Sequence, residues 1–382
     1  MTKQELHLGY GIYFAVGLSL NLLFAMLPDV RDTFKLNYSE AGNIMGVLQI
    51  GFITSLMLRM KLLNYLGMKR LLLVTGVSWL AGIGLMTLTV EKNLLLVGVM
   101  LTGIAYGMFQ NLYSAYAVMT SKKDKNRHVS MMNAFFGIGS VAAPLTASAA
   151  LAVGNWRTGY LVVFAVVLLM LVRLLQLTFL PVSEGTDRQK APFSFGLTFL
   201  YIGLFIVIYP LGEFTAGSWA SEYWKNFGNN TVIPYSMITA FFWIPFTVGR
   251  IRGGVLADRI GGMVFMLRTC GLFLAASLVW VMFTSPWITL VSLVVIAYSL
   301  AGMFPIFLIL AGEYYPQHIG TITSWLFFFL SMGGMGTQKV VGLAAEAFGI
   351  GILPMVFLAA ALLLISVLLG LRHERSKVGG VT

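Results

Sequence analysis

A carboxylate lies inside a long apolar stretch, in Tyr209-Pro210-Leu211-Gly212-Glu213-Phe214-Thr215-Ala216-Gly217-Ser218-Trp219. Residues 196–208 before it are almost wholly apolar, and the run ends at Ser221-Glu222-Tyr223-Trp224-Lys225. Placing an acid in hydrocarbon costs about 2.5–3.5 kcal/mol on insertion scales, so such a group faces protein or water. Pro210 removes a backbone donor and Gly212 a side chain, which predicts a bend just before the acid. Glu213 is read as a proton carrier or as an acceptor for solute hydroxyls. The competing reading is a structural acid hydrogen-bonded across a bundle. Counted at about 1.5 Å per residue, it is expected nearer the external end of its span than the middle.

Other polar side chains sit in apolar runs. Tyr106, Gln110 and Tyr113 are spaced by four and three, so they share a helix face, and Asn111 adjoins them. Phenols and amides both give and accept hydrogen bonds, which suits a neutral polyol. Asn21, Gln49, Asn133 and Ser218 extend the candidate set. Trp219 and Trp243 offer indole faces for sugar C–H surfaces, whereas Trp325 reads as an interface-belt residue. The alternative for each amide is an interhelical bond worth about 0.6 kcal/mol on average. Gln338 and Lys339 lie in the outer part of another apolar run, and Arg173 reads as a snorkelling side chain. Arg250, Asp258 and Arg259, with Asn64 in an earlier loop, are read as a cytoplasmic gate distant from solute. Glu313 is read as a cap or gate residue.

Enzyme chemistry is missing from this inventory. Four histidines and a single cysteine, Cys270, offer no metal spacing and no internal disulfide. Gly333-Gly334-Met335-Gly336-Thr337-Gln338-Lys339 lacks the ending of a phosphate loop and lies in an apolar run, so it reads as small residues for close helix packing. No cofactor is expected.

The elements that must carry these residues are membrane helices. Hydrophobic residues make up 58% of the 382-residue chain and charged residues only 10%. Apolar runs of about 20 residues, without alternation, indicate an all-α polytopic membrane protein rather than a barrel. Twelve spans are predicted: 8–27, 41–60, 70–90, 94–119, 129–153, 158–180, 196–222, 231–250, 263–284, 287–309, 320–345 and 350–371. The first lacks the features of a cleavable signal peptide. Net charge is +11, but the basic residues lie in short connections, which argues against nucleic acid as partner. Of 25 Lys and Arg residues, Arg31, Lys35, Lys92, Arg157 and Lys225 fall on one side, Arg173 and Lys339 lie within spans, and the remaining 18 fall on the other. That asymmetry predicts both termini in the cytoplasm and an even helix count.

The polar interval between the sixth and seventh spans divides the chain into residues 1–181, a cytoplasmic linker 182–195, and residues 196–382. Leu63-Asn64-Tyr65-Leu66-Gly67-Met68-Lys69-Arg70 after span 2 aligns with the segment around Asp258-Arg259-Ile260-Gly261 after span 8, Asn64 on Asp258 and Gly67 on Gly261. The expected architecture is twelve transmembrane helices in two six-helix bundles with pseudo-twofold symmetry.

Gly254-Val255-Leu256-Ala257-Asp258-Arg259-Ile260-Gly261 resembles the cytoplasmic loop signature of the major facilitator superfamily, as does Leu27-Pro28 with Asp32-Thr33-Phe34 and Ser39-Glu40-Ala41-Gly42. The resemblance implies a bundle whose halves rock around a central cavity lined by spans 1, 4, 7 and 10. Glu213-x-x-x-Gly217-Ser218-Trp219, preceded by Tyr209, resembles the seventh-helix motif of the fucose/glucose-type sugar:proton symporters. Asn133-Ala134-Phe135-Phe136-Gly137-Ile138-Gly139-Ser140, with Pro144, is similar to their fifth-helix motif. Gly212 stands one place later than the family glycine, spans 1 and 4 lack the buried carboxylate of some proton-coupled members, and Asn64 replaces the usual loop acid. The expected function is secondary active transport of a small polar solute, a sugar in the first instance, with protons as the coupling ion. A proton-driven efflux antiporter for amphiphilic compounds is the alternative, supported by 21 Met and 28 Phe residues. A monomer in the lipid bilayer of a bacterial inner membrane is expected.

Overall fold

The structure, a computed structural model, describes residues 2–120, 125–179, 196–228, 232–283 and 285–379. Its helices are α1 (Lys3–Ala25), α2 (Leu27–Phe34), α3 (Tyr38–Leu88), α4 (Lys92–Thr120), α5 (Lys125–Ala152), α6 (Arg157–Leu175), α7 (Leu197–Ile208), α8 (Pro210–Phe227), α9 (Ile238–Ile260), α10 (Gly262–Met282), α11 (Pro286–Ala301), α12 (Met303–Tyr314), α13 (Ile319–Phe348) and α14 (Leu353–Gly379). Among the described residues regular structure is entirely helical, as expected where no water can satisfy the backbone. Among the described residues, ten segments are long and apolar enough to cross a membrane. The expected spans in α9 and α13 fall outside that set. α9 carries Arg250, Arg252, Asp258 and Arg259, and the apolar run of α13 is diluted by Ser, Gly and Thr before Gln338-Lys339.

Several element boundaries differ from the sequence reading. α9 begins at Ile238, not near 231, because Pro234 is extended (φ −60°, ψ 141°) ahead of a single 3-10 turn at Tyr235–Met237. It then runs through Arg250 and Arg252 to Ile260, arginine being a good helix former. α8 likewise continues past Glu222 to Phe227. The expected linker, 182–195, lies outside the described residues.

The chain forms two compact units, Met1–Gly185 with Ile233–Ala240, and Thr186–Val232 with Phe241–Thr382. In the first, α3 packs on α4 and α6, and α1 on α5 and α6. In the second, α10 packs on α11 and α14, and α7 on α13 and α14. α6 illustrates how the helices sort their faces: Val163, Val167, Met170, Leu171 and Leu174 are buried, while Leu161, Leu168, Leu169, Val172 and Leu175 are exposed. An apolar exposed face of this kind fits lipid, not water.

Several contacts recur at a fixed offset along the chain. Gly67 and Gly261, aligned from sequence, both adopt positive φ (72° and 85°), as do Gly154 and Gly349 (102° and 77°). Each pair lies 194 or 195 residues apart, and each glycine occupies a backbone region that side chains resist. A methyl added at Gly139 of α5 would lie 2.1 Å from the Phe14 carbonyl oxygen of α1. One added at Gly333 of α13 would lie 2.3 Å from the Val207 carbonyl oxygen of α7. Gly107 against Ser55 has its counterpart in Ala301 against Gly249, with the small residue on the other partner.

Gly139→Ala and Gly333→Ala are each expected to destabilise the protein by about 1–3 kcal/mol through overpacking. Gly271→Ala, where an added methyl meets nothing within 4 Å, is expected to be neutral or stabilising by up to about 1 kcal/mol through helix propensity. Thermal unfolding of the detergent-solubilised variants checks this. A loss at position 271 as large as at 333 would refute the close-packing account.

Candidate functional site

The second unit places Glu213 just after a helix break. α7 stops at Ile208 and α8 starts at Pro210. A proline ring here removes an N–H and crowds the carbonyl one turn back, so the helix bends. Tyr209 keeps helical angles (φ −49°, ψ −41°), and the N–H groups of Gly212 and Glu213 both reach its carbonyl, at 3.0 and 3.4 Å. A second break lies opposite, where α11 gives way to α12 at Gly302. The Tyr209 hydroxyl donates to the Leu300 carbonyl at 3.2 Å, joining the two breaks. Gly212 lets α8 approach there, since an added methyl would lie 2.9 Å from the Leu300 side chain.

Glu213 is buried at 8% exposure. Its Oε1 lies 3.6 Å from Nη2 of Arg250, whose side chain is 37% exposed. The Arg250 guanidinium also lies 4.6 Å over the Phe246 ring, a cation–π arrangement. Arg250, expected among the cytoplasmic gate residues, thus faces the buried acid, and α9 continues past it to Ile260. Glu213 is also not near the external end of its span. It is residue 17 of the 31-residue segment Leu197–Phe227, the middle, because the helix runs on past Glu222. Trp243, Phe246 and Arg250 follow at helical spacing on α9. Trp243 is buried and packs edge-on to Phe242 and Phe246 at 5.1 and 5.3 Å.

Further along α8 a buried network reaches α13. Ser218 Oγ donates to the Phe214 carbonyl at 2.5 Å. Its one proton being used, it accepts from Gln338 Nε2 at 3.0 Å. Gln338 Oε1 then accepts from Trp219 Nε1 at 2.8 Å. Ser218 lies five residues from Glu213, about 7.5 Å along the helix. Gln338, placed among the lesser candidates from sequence, is 1% exposed and organises this cluster.

In the first unit the polar face of α4 divides. Tyr106 donates to Ser19 at 2.5 Å and packs edge-on to Trp79. Tyr113 donates to the Glu5 carbonyl at 2.9 Å. Both phenols are fully buried and bond to α1. Gln110 and Gln49 are half-buried, and neither side-chain amide has a protein partner among the described residues. Asn111 turns back to the Gly107 carbonyl at 2.7 Å, and the exposed Asn133 to that of Val129 at 2.9 Å. Asn21 is fully buried and donates to the Gly17 carbonyl and to Ser140 Oγ at 2.8 and 2.9 Å, leaving its Oδ1 without a partner.

Some residues escaped the sequence reading. Glu5 is buried, accepts from Tyr116 at 2.9 Å and closes a capping box with Thr2. The Thr2-x-x-Glu5 spacing was legible; its burial under α4 was not. Ser140 stood in the fifth-helix motif but carried no sign of Asn21. Of the gate residues, Asn64 is exposed within α3 just before its kink at Gly67, and Asp258 and Arg259 are exposed at the end of α9, beside Gly261. Trp325 is half-buried and packs on Phe199 and Phe329 at 5.9 and 5.4 Å.

Comparison with known proteins places this geometry. A family model described as Major Facilitator Superfamily matches residues 9–338. A glucose/mannose transporter of Bacillus subtilis (strain 168) is 20% identical over 393 aligned residues, covering 99% of this chain and 97% of that one. Among solved structures, a point variant of a nucleoside transporter superposes with a TM-score of 0.79 at 13% identity, over 97% of this chain and 99% of that one. A point variant of the E. coli fucose:proton symporter superposes with a TM-score of 0.64 at 16% identity, over 96% and 98%. The relatives are transporters and not enzymes, and the chain belongs to the Major Facilitator Superfamily.

Proposed function

We propose that the protein is a secondary active transporter that moves a small neutral polar solute, a sugar, by alternating access with proton coupling at Glu213. The observation that carries this reading is the Glu213–Arg250 pair, set mid-span beside two helix breaks. Removing one partner of a buried pair leaves an uncompensated charge. A proton on Glu213 therefore releases Arg250, and a solute hydroxyl can take over either partner as acceptor or donor. Proton and solute thus act on the same pair, the requirement for coupling. Within the first unit, the amides of Gln49 and Gln110, without a partner among the described residues, and the open acceptor of Asn21 offer hydrogen-bond capacity of the kind a polyol uses. Trp243 supplies an apolar face, while Trp219 and Ser218, tied to Gln338, hold α8 in place. Tyr106 and Tyr113 are assigned to positioning, Asn111 and Asn133 to polar contacts of the first unit, and Asn64, Asp258 and Arg259 to the gate. Similarity to a glucose/mannose transporter supports the sugar assignment.

The same reading gives twelve transmembrane helices in two six-helix repeats with pseudo-twofold symmetry. What supports it is the offset of 194 and 195 residues between the paired positive-φ glycines and the length of α9 and α13, at 23 and 30 residues, against the roughly 20 a span needs. The proposed repeats are residues 1–181 and 196–382 around a cytoplasmic linker at 182–195, with both termini cytoplasmic. The proposed setting is a monomer in a bacterial inner membrane.

Proteoliposome uptake of a panel of labelled sugars tests the function. The parent is expected to accumulate one of them under an inward proton gradient, and Glu213→Gln to reach only equilibrium while still exchanging solute. Undiminished accumulation by Glu213→Gln would remove the acid from coupling. Failure of folded parent protein to move any sugar would favour the efflux antiporter.

Stability tests the pair separately. Arg250→Gln is expected to destabilise by less than the ~3–5 kcal/mol of a fully buried broken pair, because Arg250 is 37% exposed. Glu213→Gln with Arg250→Gln is expected to recover most of that loss. Additive losses in the double variant, read by thermal unfolding, would show that the two side chains do not interact.

A further inference from the structure

A cleft of about 510 Å³ runs between α1 and α6 on the first unit, and nothing in the transport reading uses it. Its polar end is made by Gln4 and His7 from the start of α1 and by Arg173 and Gln176 from the end of α6. Deeper, its walls are apolar, with Leu169 and Met170 on α6. Gly11 keeps the α1 wall low, since an added methyl would meet only Met170, at 3.8 Å. The helices run antiparallel here, so polar and apolar residues fall into two successive levels rather than a mixture. Arg173 is exposed, and its one bond among the described residues is a 3.5 Å contact to Gln176 Oε1; no carboxylate there pairs with it.

We infer that this cleft is a binding site for an anionic phospholipid, its phosphate on Arg173 and one acyl chain along the Gly11–Leu169–Met170 wall. Charge complementarity selects the occupant. A guanidinium at the end of a membrane helix, without a carboxylate partner among the described residues and flanked by amide and imidazole donors, matches a headgroup of net negative charge better than a zwitterionic one. Basic pockets between membrane helices bind anionic headgroups in this way. The apolar level below accounts for a tail and excludes a purely soluble anion.

Native mass spectrometry of the full-length protein, with phosphatidylglycerol and phosphatidylcholine of identical chains, tests the site. The parent is expected to retain phosphatidylglycerol at least tenfold better. Arg173→Gln should reduce that preference to near equality and Arg173→Lys should keep most of it. Gly11→Leu should weaken both lipids by filling the wall. Equal retention of the two lipids by the parent, or a preference unchanged in Arg173→Gln, would overturn the proposal. So would competition by glycerol 3-phosphate as effective as by the intact lipid, which would make the ligand a soluble anion. Arg173 lies on the exposed face of α6, so the variant leaves the buried packing intact. Sugar uptake measured in parallel separates loss of this site from failure of the transport reading.

Discussion

Close approach of helix backbones is the constraint on which the rest depends. Lipid tails are as apolar as leucine, so burial from lipid gives helices little reason to associate. What holds them is contact at short range, and at several crossings glycine leaves no room for a side chain: Gly17 against the Phe136 carbonyl, Gly139 against that of Phe14, Gly333 against that of Val207. These contacts set α5 on α1 and α13 on α7. Only with those distances fixed can Asn21 reach Ser140 across α1 and α5, or Gln338 reach Ser218 and Trp219 across α13 and α8. Polar bonding here follows packing.

Within that frame the buried polar groups divide by whether the protein uses their hydrogen-bonding capacity. Tyr13 is bonded to Ser114 and the Gln110 carbonyl, Tyr106 to Ser19, and Tyr113 to Glu5. Such groups tie α1 to α4 and have little left for a solute. The amides of Gln49 and Gln110, and Oδ1 of Asn21, keep capacity in reserve. A buried acceptor without a partner is costly, by about 1–3 kcal/mol, and a site that must bind and release a polyol is where such a group has a use. Glu213 and Arg250 stand between these classes. Paired through one 3.6 Å contact, with the cation partly exposed, they are close enough to hold and open enough to exchange.

The membrane class, most span positions, the break before Glu213 and the repeat of Gly67 on Gly261 were legible in the sequence. Each depends on local chemistry: hydrophobic run length, a proline without an N–H, a glycine where side chains are strained. The shared face of Tyr106, Gln110 and Tyr113 was legible as periodicity too. Periodicity reports which residues stand together, however, not what stands across from them. The neighbouring α1 took the two phenols and left the amide. The pairing of Arg250 with Glu213 was hidden for a related reason. Arginine at the end of an apolar run looks like a boundary, and only Pro234 at the far end of α9 reveals that the whole helix is shifted.

By itself, then, the sequence determined that this chain is built of membrane helices, that a loop glycine recurs at corresponding places early and late in the chain, and that an acid lies in an apolar span. Those follow from run length and from the few backbone positions that demand proline or glycine. Tertiary structure alone decided which cation meets that acid and which polar side chains are consumed between helices. A helix reaches its partners sideways, across distances set by packing, and a one-dimensional pattern records the face but not the neighbour.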